Sequence, residues 1–303
     1  MERVISNIAY DESLSYNYNI EKYKYNTNVL IIEIINTNIY IVQKSYEART
    51  NDTINFIKKV LEMTKHNLDG IYCIGMDDAS HNHKGLLVFS KTMGEQNVLI
   101  PDLYATYNYN GKLYINDNID NKKNEMIFVG SSTGNYNPLF NNRLKICNDA
   151  LKYPDTIKCY ISNVCQISKE KIKNVFPLYE NFLSNNLSIE EQLNYKYIIS
   201  IDGNTSAWDR VPWILNSKSI LVKHKSDELC WYYYLLKKNV HYLEFETVED
   251  LKKILDENKN YDYIIKNAND FVKKYLTLDI HLKYMEHVLF HIKNNRDKLN
   301  VNK

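Results

Sequence analysis

Apolar and polar positions recur at two distinct periods along this chain of 303 residues. Val29 to Val42 is β-branched and apolar, breaks at Asn36-Thr37-Asn38, and predicts two strands joined by a tight turn. Ile54, Ile57, Val60 and Leu61 then fall at helical spacing behind Asp52-Thr53, which predicts a capped amphipathic helix. Gly70 to Met76 is a short β-branched run that stops at Asp77-Asp78, and Leu86 to Ser90 predicts another strand. Residues 106–124 are rich in Asn and Asp and predict a surface loop or linker.

The second half alternates more regularly. Met126 to Val129 predicts a strand that ends in Gly130-Ser-Ser-Thr-Gly134, followed by a helix holding Leu139, Phe140, Leu144, Ile146 and Ala150. A strand over 157–161 precedes a helical stretch at 188–196, where Ser188 and Glu191 form a capping box. Strand 197–201, helix 210–217, strand 219–223, helix 227–238 and strand 241–245 follow. Thr247-Val-Glu-Asp250 opens another helix, and two more fill 261–297. Strands alternating with helices predict an α/β fold with a parallel sheet covered on both faces.

Composition narrows the function classes. The length suits about two domains, and a hydrophobic fraction of 44% supports packed cores. Net charge is +1, so neither nucleic acid nor an anionic membrane is an expected partner. The 26 tyrosines accompany heavy Asn, Ile and Lys usage, which fits AT-rich coding better than a stacking surface. Five cysteines, Cys73, Cys147, Cys159, Cys165 and Cys230, are odd in number and lack CxxC spacing. They predict free thiols in a reducing compartment rather than a zinc site or disulfide framework. Met1-Glu-Arg-Val-Ile-Ser-Asn lacks the apolar core of a signal peptide, and Val29 to Val42 is too broken by polar residues to span a bilayer. A soluble, cytosolic protein of bacterial or viral origin is the expectation.

Three predicted strand ends carry polar loops, where open α/β sheets bind ligands. The loop Gly130, Ser131, Ser132, Thr133, Gly134 suits a phosphate but lacks the lysine of a triphosphate loop. Alone it reads as an ordinary turn; Arg143 and Lys145 on the next helix raise its interest. After the second, Asp202, Gly203, Asn204, Thr205, Ser206, Ala207 and Trp208 lead to Arg210. By residue type Arg210 fits a salt-bridged surface position, but its place behind a small, hydroxyl-bearing loop favours a bidentate grip on a diphosphate. Lys223 ends a strand and is a weaker candidate of the same kind. Asp77 and Asp78 fit either a helix cap or a catalytic carboxylate. His81 and His83 form an HxH pair without a third ligand singled out, so no metal is expected.

At these residues the chain resembles glycosyltransferase family 90, which includes fungal capsule-associated proteins, protein O-glucosyltransferases and bacterial lipopolysaccharide glycosyltransferases. The similarity runs from near Gly70 to about residue 290. Its strongest part is Tyr195-Lys-Tyr-Ile-Ile-Ser-Ile-Asp-Gly-Asn-Thr-Ser-Ala-Trp-Asp-Arg-Val-Pro-Trp213, similar to the family's "KY…DGN…R.P.LL" core. Ser219-Ile-Leu-Val-Lys223 resembles "GSVVFK", and Trp231-Tyr-Tyr with Val240-His-Tyr242 resembles "WFY…L…VHY". Leu87-Val-Phe-Ser-Lys-Thr92 with Ile100-Pro-Asp resembles "FSKT…P". Phe128-Val-Gly-Ser-Ser-Thr-Gly134 with Asn142-Arg-Leu-Lys-Ile-Cys147 resembles "FRG…TG…NPR…L".

The resemblance implies a GT-B architecture, with two Rossmann-like domains facing a cleft. Residues 1–124 would form the acceptor-side domain, 125–280 the nucleotide-sugar domain, and 281–303 a C-terminal helix packing back on the first. It implies a UDP-sugar co-substrate of the glucose or xylose class, no further cofactor, and metal-independent, inverting transfer to a hydroxyl of a glycan or protein. The general base would be Asp77, with Asp78 one register away. The family's proline after the base is Ala79 here, and its two arginines are Val129 and Ser132. Diphosphate charge would then fall on Arg143 and Arg210, or the chain would be a degenerate transferase that binds without turnover.

Overall fold

The computed structural model describes residues 23–78, 86–102, 117–257 and 259–301. In chain order the strands are β1 (Val29–Ile35), β2 (Asn38–Gln43), β3 (Gly70–Gly75), β4 (Leu87–Val88), β5 (Lys91–Thr92), β6 (Val98–Leu99), β7 (Lys123–Ser131), β8 (Ile157–Asn163), β9 (Tyr195–Ser200), β10 (Ile220–His224), β11 (Glu228–Leu229) and β12 (Leu243–Phe245). The helices are α1 (Glu47–Met63), α2 (Asn142–Ala150), α3 (Lys169–Val175), α4 (Ile189–Gln192), α5 (Arg210–Leu215), α6 (Val248–Asp256), α7 (Asp262–Tyr275) and α8 (Leu278–Val301). The chain divides into two compact units. Met1–Gly111, Asp227–Leu235 and Tyr275–Lys303 make the first; Lys112–Ser226 and Leu236–Lys274 make the second.

The first unit is built on a mixed sheet in the order β2-β1-β3-β4-β6. β1 and β2 form the expected hairpin, closed by Asn36 and Thr37 at φ 47° and 65°, the conformation a two-residue primed turn requires. Because β1 also pairs antiparallel with β3, while β3, β4 and β6 run parallel, this sheet is mixed, unlike the parallel sheet of the Rossmann-like domain that the resemblance implied. β1 is buried along most of its length, whereas β2 leaves Tyr40, Ile41 and Val42 at 53%, 41% and 55% exposure. α1 begins at Glu47 rather than behind Asp52-Thr53. Thr53 is buried on the face that carries Ile54, Ile57 and Val60, so it packs where a cap was expected.

The helix expected over 227–238 is absent. Glu228–Leu229 instead pairs antiparallel with Lys91–Thr92, and Tyr233–Leu235 makes a single 3-10 turn. Burial overrides helix propensity here: Cys230, Trp231 and Tyr232 are all at most 1% exposed. Trp231 stacks on Tyr284 of α8 with ring centres 4.4 Å apart, and the Tyr284 hydroxyl donates to the Leu99 carbonyl at 2.9 Å. His281, one turn earlier on α8, meets the same Trp231 edge-on at 5.2 Å.

The second unit is a five-stranded parallel sheet in the order β12-β10-β9-β7-β8. Its core draws on alternate residues of the strands, such as Met126, Phe128, Tyr197 and Ile199, packed under Leu144, Ile172 and Leu251 from the helices. The helix expected to hold Leu139 and Phe140 starts only at Asn142; both residues sit in a 3-10 turn and are exposed. Asn141 accepts from the Leu144 N–H and so fixes that later start. The helical stretch expected over 188–196 is one turn, Ile189–Gln192, although its capping box is present. α3 lacked an expectation; Ser168 caps it. At the amino ends of the central strands, the buried Lys122 ammonium pairs with Asp117 at 2.9 Å and donates to the Leu193 carbonyl. The same Asp117 oxygen, Oδ2, also accepts from the Lys218 backbone N–H at 2.7 Å, while Oδ1 accepts from Lys122 Nζ at 3.0 Å. One buried ion pair therefore ties together the residues that lead into β7, β9 and β10.

His281 gives the first unit a testable pH dependence. Its Nδ1 lies 2.6 Å from the Thr277 carbonyl, which only accepts, so Nδ1 carries the proton. Burial pushes its pKa from 6.5 down to about 4, with the Thr277 contact working weakly the other way. The unfolded chain takes up this proton near pH 6.5 and the folded chain only near 4. Stability is therefore full above 6.5 and falls as pH drops through that window, by about 3 kcal/mol for this one group. Urea unfolding from pH 7 to 4 should show this fall. The variant His281→Phe should flatten it, and equal slopes in both proteins would refute the assignment.

Candidate functional site

β7 is the first strand of the second sheet, yet it lies between β8 and β9. The chain leaves β7 in one direction to reach β8 and in the other to reach β9. Such a reversal opens a crevice at the carboxyl ends of the two strands flanking it. Those ends here are Gly130–Gly134 after β7 and Asp202–Ser206 after β9, two of the three loops singled out by residue type.

The two loops touch. The Gly134 N–H donates to Asn204 Oδ1 at 3.0 Å and shares a longer bond with Gln166 Oε1. Gly134 has φ +135°, a region glycine tolerates best. The Gly203 N–H donates to the Thr205 carbonyl at 2.9 Å, closing a tight turn. A Cβ on Gly203 would lie 2.7 Å from Thr133 Oγ1 and 3.0 Å from Arg143 Nη2. The Asn141 amide donates to the Ser132 and Asn135 carbonyls, which fastens the start of α2 to the first loop.

Two arginines occupy the crevice. Hydrogen-bonded pairing of β7 with β9 ends at Ile127 and Ile198. Beyond that point Arg210 donates to the carbonyls of Val129 and Ile199, and Arg143 donates to those of Ser131 and Ile201, the last at 3.1 Å. Arg143 Nη1 also donates to Thr133 Oγ1 at 2.6 Å. Both guanidiniums flank the Phe128 ring, at 5.1 Å for Arg210 and 5.9 Å for Arg143. Each residue keeps some exposed surface, but the guanidiniums are packed among protein atoms. Loss of hydration pushes the Arg210 pKa down to about 10, repulsion from Arg143 adds to this, and Asp209 opposes it. Burial likewise lowers Arg143, with Asp202 the largest opposing influence. Both remain cationic at neutral pH.

Neither guanidinium pairs with a carboxylate among the described residues. Asp202 is committed elsewhere: one oxygen accepts from Lys223 Nζ and the other from the Ala207 N–H, both at 3.0 Å. The Arg143 Nη2 donors have no hydrogen-bond partner among the described residues, and neither does Arg210 Nε. The crevice thus holds an excess of buried positive charge with unused N–H groups, suited to an anion.

The remaining sequence candidates sort by position. Ser131 and Thr133 face Arg143, at 3.4 Å and 2.6 Å from its Nη1. Ser132 turns inward: its hydroxyl donates to the Cys165 carbonyl and accepts from the Cys165 N–H. Thr205, Ser206 and Trp208 are buried beneath the second loop. Lys223 and Asp202 form an ion pair in which each side chain is 8% exposed, so they brace the loop. In the first unit, Asp77 and Asp78 follow β3 directly. Asp78 pairs with Arg49 at 2.6 Å. Asp77 raises the pKa of the nearby Tyr46, whose hydroxyl donates to Asn28 Oδ1 at 3.1 Å. His81 and His83 lie outside the described residues, among which there is no cluster of three or more His, Cys, Asp or Glu able to hold a metal. Sequence reasoning missed Asn141 and Phe128; the spacing of Asn141 to Leu144 was a readable cap signal.

Residues 146–295 match the model of Glycosyl transferase family 90. This stretch covers the Asp202 loop, Arg210 and Lys223, while Gly130–Gly134 and Arg143 lie upstream of it. Two curated viral proteins are also similar. Uncharacterized protein 179R of Invertebrate iridescent virus 6 is 30% identical over 118 residues, 35% of this chain and 10% of that protein. Uncharacterized protein 035R of Invertebrate iridescent virus 3 is 26% identical over 215 residues, 66% of this chain and 19% of that protein. The chain thus spans a tenth to a fifth of the length of these relatives. The family that this stretch resembles is, by its name, one of glycosyl transfer. Among the described residues no helix is long and apolar enough to cross a membrane.

The contact between the loops can be tested at Gly203. Its added methyl in Gly203→Ala would displace Thr133 or Arg143 and should cost about 1–3 kcal/mol of stability. Chemical denaturation of the two proteins measures this; an unchanged midpoint would mean the loops are not in contact.

Proposed function

We propose that this chain is an inverting glycosyltransferase of GT-B type that moves a glucose- or xylose-class sugar from a UDP-sugar to a hydroxyl of a glycan or protein. The observation carrying this reading is the pair of packed guanidiniums without carboxylate partners at the switch point of the second sheet. A diphosphate supplies the missing negative charge, and Arg143 Nη2 and Arg210 Nε supply donors for its oxygens. The family resemblance supports the donor class, the GT-B type and the inverting route.

In the proposed mechanism Asp77 takes the proton of the acceptor hydroxyl while that oxygen attacks the anomeric carbon. Asp78, which pairs with Arg49, is the alternative base. General-base help of this kind contributes about 10²–10⁴-fold. The bond to the diphosphate breaks as the new bond forms, through an oxocarbenium-like state. Negative charge grows on the departing UDP, and Arg143 and Arg210 are fixed in advance to receive it. Cations already in place make a metal unnecessary. The five free cysteines fit a reducing compartment such as the cytosol.

A second reading is retained on one observation: Val129 and Ser132 stand where the family carries arginines, and Ser132 is bonded into the structure. The chain would then bind a nucleotide sugar without turning it over. One experiment separates the two. UDP at 100 times its dissociation constant should add about 2.7 kcal/mol of stability, and Arg143→Lys should reduce that gain because it loses the guanidinium fork. UDP release from a panel of UDP-sugars should occur with the unaltered chain and disappear in Asp77→Asn and Arg210→Ala. Stabilisation without release supports the binding-only reading, and no stabilisation by UDP defeats both.

A further inference from the structure

We propose that the second unit carries a carbohydrate-binding groove along its edge strand, separate from the switch-point crevice. β12 is the last strand of the sheet. Beside it lies a cavity of about 560 Å³, within the ~300–1,000 Å³ of small-molecule sites. None of the loop or arginine residues of the crevice lines it.

The groove has an apolar floor, polar walls and an aromatic rim. Leu243, Phe245 and Ile254 form the floor. Tyr263 stands half-exposed at the rim, and Tyr261 lies next to it with ring centres 6.5 Å apart and planes at 49°. Two ion pairs line the walls: Lys238 with Glu244, and Lys259 with Glu257, each at 2.8 Å.

These features select a ligand class. The lining holds three lysines, Lys238, Lys253 and Lys259, against four acids, Glu244, Glu246, Asp250 and Glu257. With no cationic excess, a phosphate or nucleotide has little to recommend it here. A wholly apolar ligand would strand the charged walls. A neutral sugar ring meets both conditions. Its C–H face rests on the tyrosine ring, an amphipathic platform. An ion pair offers a donor and an acceptor side by side, which matches two neighbouring hydroxyls without moving net charge. The groove is therefore fitted to hold a neutral glycan chain, and this holds whether or not the crevice carries out transfer.

Calorimetric titration with linear β-linked glucose and xylose oligosaccharides tests the inference. Saturable binding is expected. It should weaken about tenfold in Tyr263→Ala, an exposed position whose truncation leaves the core intact. Glu244→Gln, which removes one ion pair, should weaken it in the same direction. Arg143→Lys should leave it unchanged, and UDP should not compete. No binding of either oligosaccharide, binding indifferent to Tyr263→Ala, or competition by UDP would each overturn the groove. Loss of UDP affinity with oligosaccharide binding intact would instead defeat the donor reading alone.

Discussion

Where β7 and β9 part, their carbonyls lose the ladder that satisfied them, and two guanidiniums take over that role. Arg210 bridges Val129 to Ile199, and Arg143 bridges Ser131 to Ile201, like two further rungs beyond the last backbone pair. Buried carbonyls need partners, and an arginine fork can serve two strands at once. The cost is that two like charges are held near one another with little water. Their lowered pKa values record that cost. In the proposed reading, the buried cations that hold the strands open also receive the diphosphate.

The opposite end of the same strands is fixed differently. There Asp117 and Lys122 neutralise one another, with the Lys218 N–H and Leu193 carbonyl using up their remaining capacity. Charge at the amino ends is thus closed on itself, whereas charge at the carboxyl ends is left open. This asymmetry, more than the presence of glycines or hydroxyls, distinguishes the edge of the sheet proposed to face the ligand.

Much of this was legible in the sequence. The β-branched runs expected to end at Val129 and Ile201, and the small polar residues after them, marked both loops of the crevice because strand period and turn chemistry are local properties. The strand order that brings those loops together is not local, and only the structure supplied it. Arg210 read equally as a surface ion-pair residue, since its carbonyl partners lie on strands remote in sequence. Cys230-Trp231-Tyr232 read as helix because its helical spacing was visible while its burial against α8 was not. Thr53 and Ser132 misled in the same way: residue types suited to caps and phosphates are interior here, Thr53 packed in the face of α1 and Ser132 bonded to the Cys165 backbone. The bond of Asp202 to Lys223 was not legible, because it arises from the pairing of β9 with β10.

The hairpin of the first unit carries a separate consequence. β2 shows Tyr40, Ile41 and Val42 to solvent and has no charged side chain from Asn38 to Gln43. Proteins usually guard such a rim with lysine, proline or a bulge. Left bare, it is a template onto which any extended apolar segment can be added, so crowded solutions of this chain should self-associate through added sheet while the rest of the molecule stays folded.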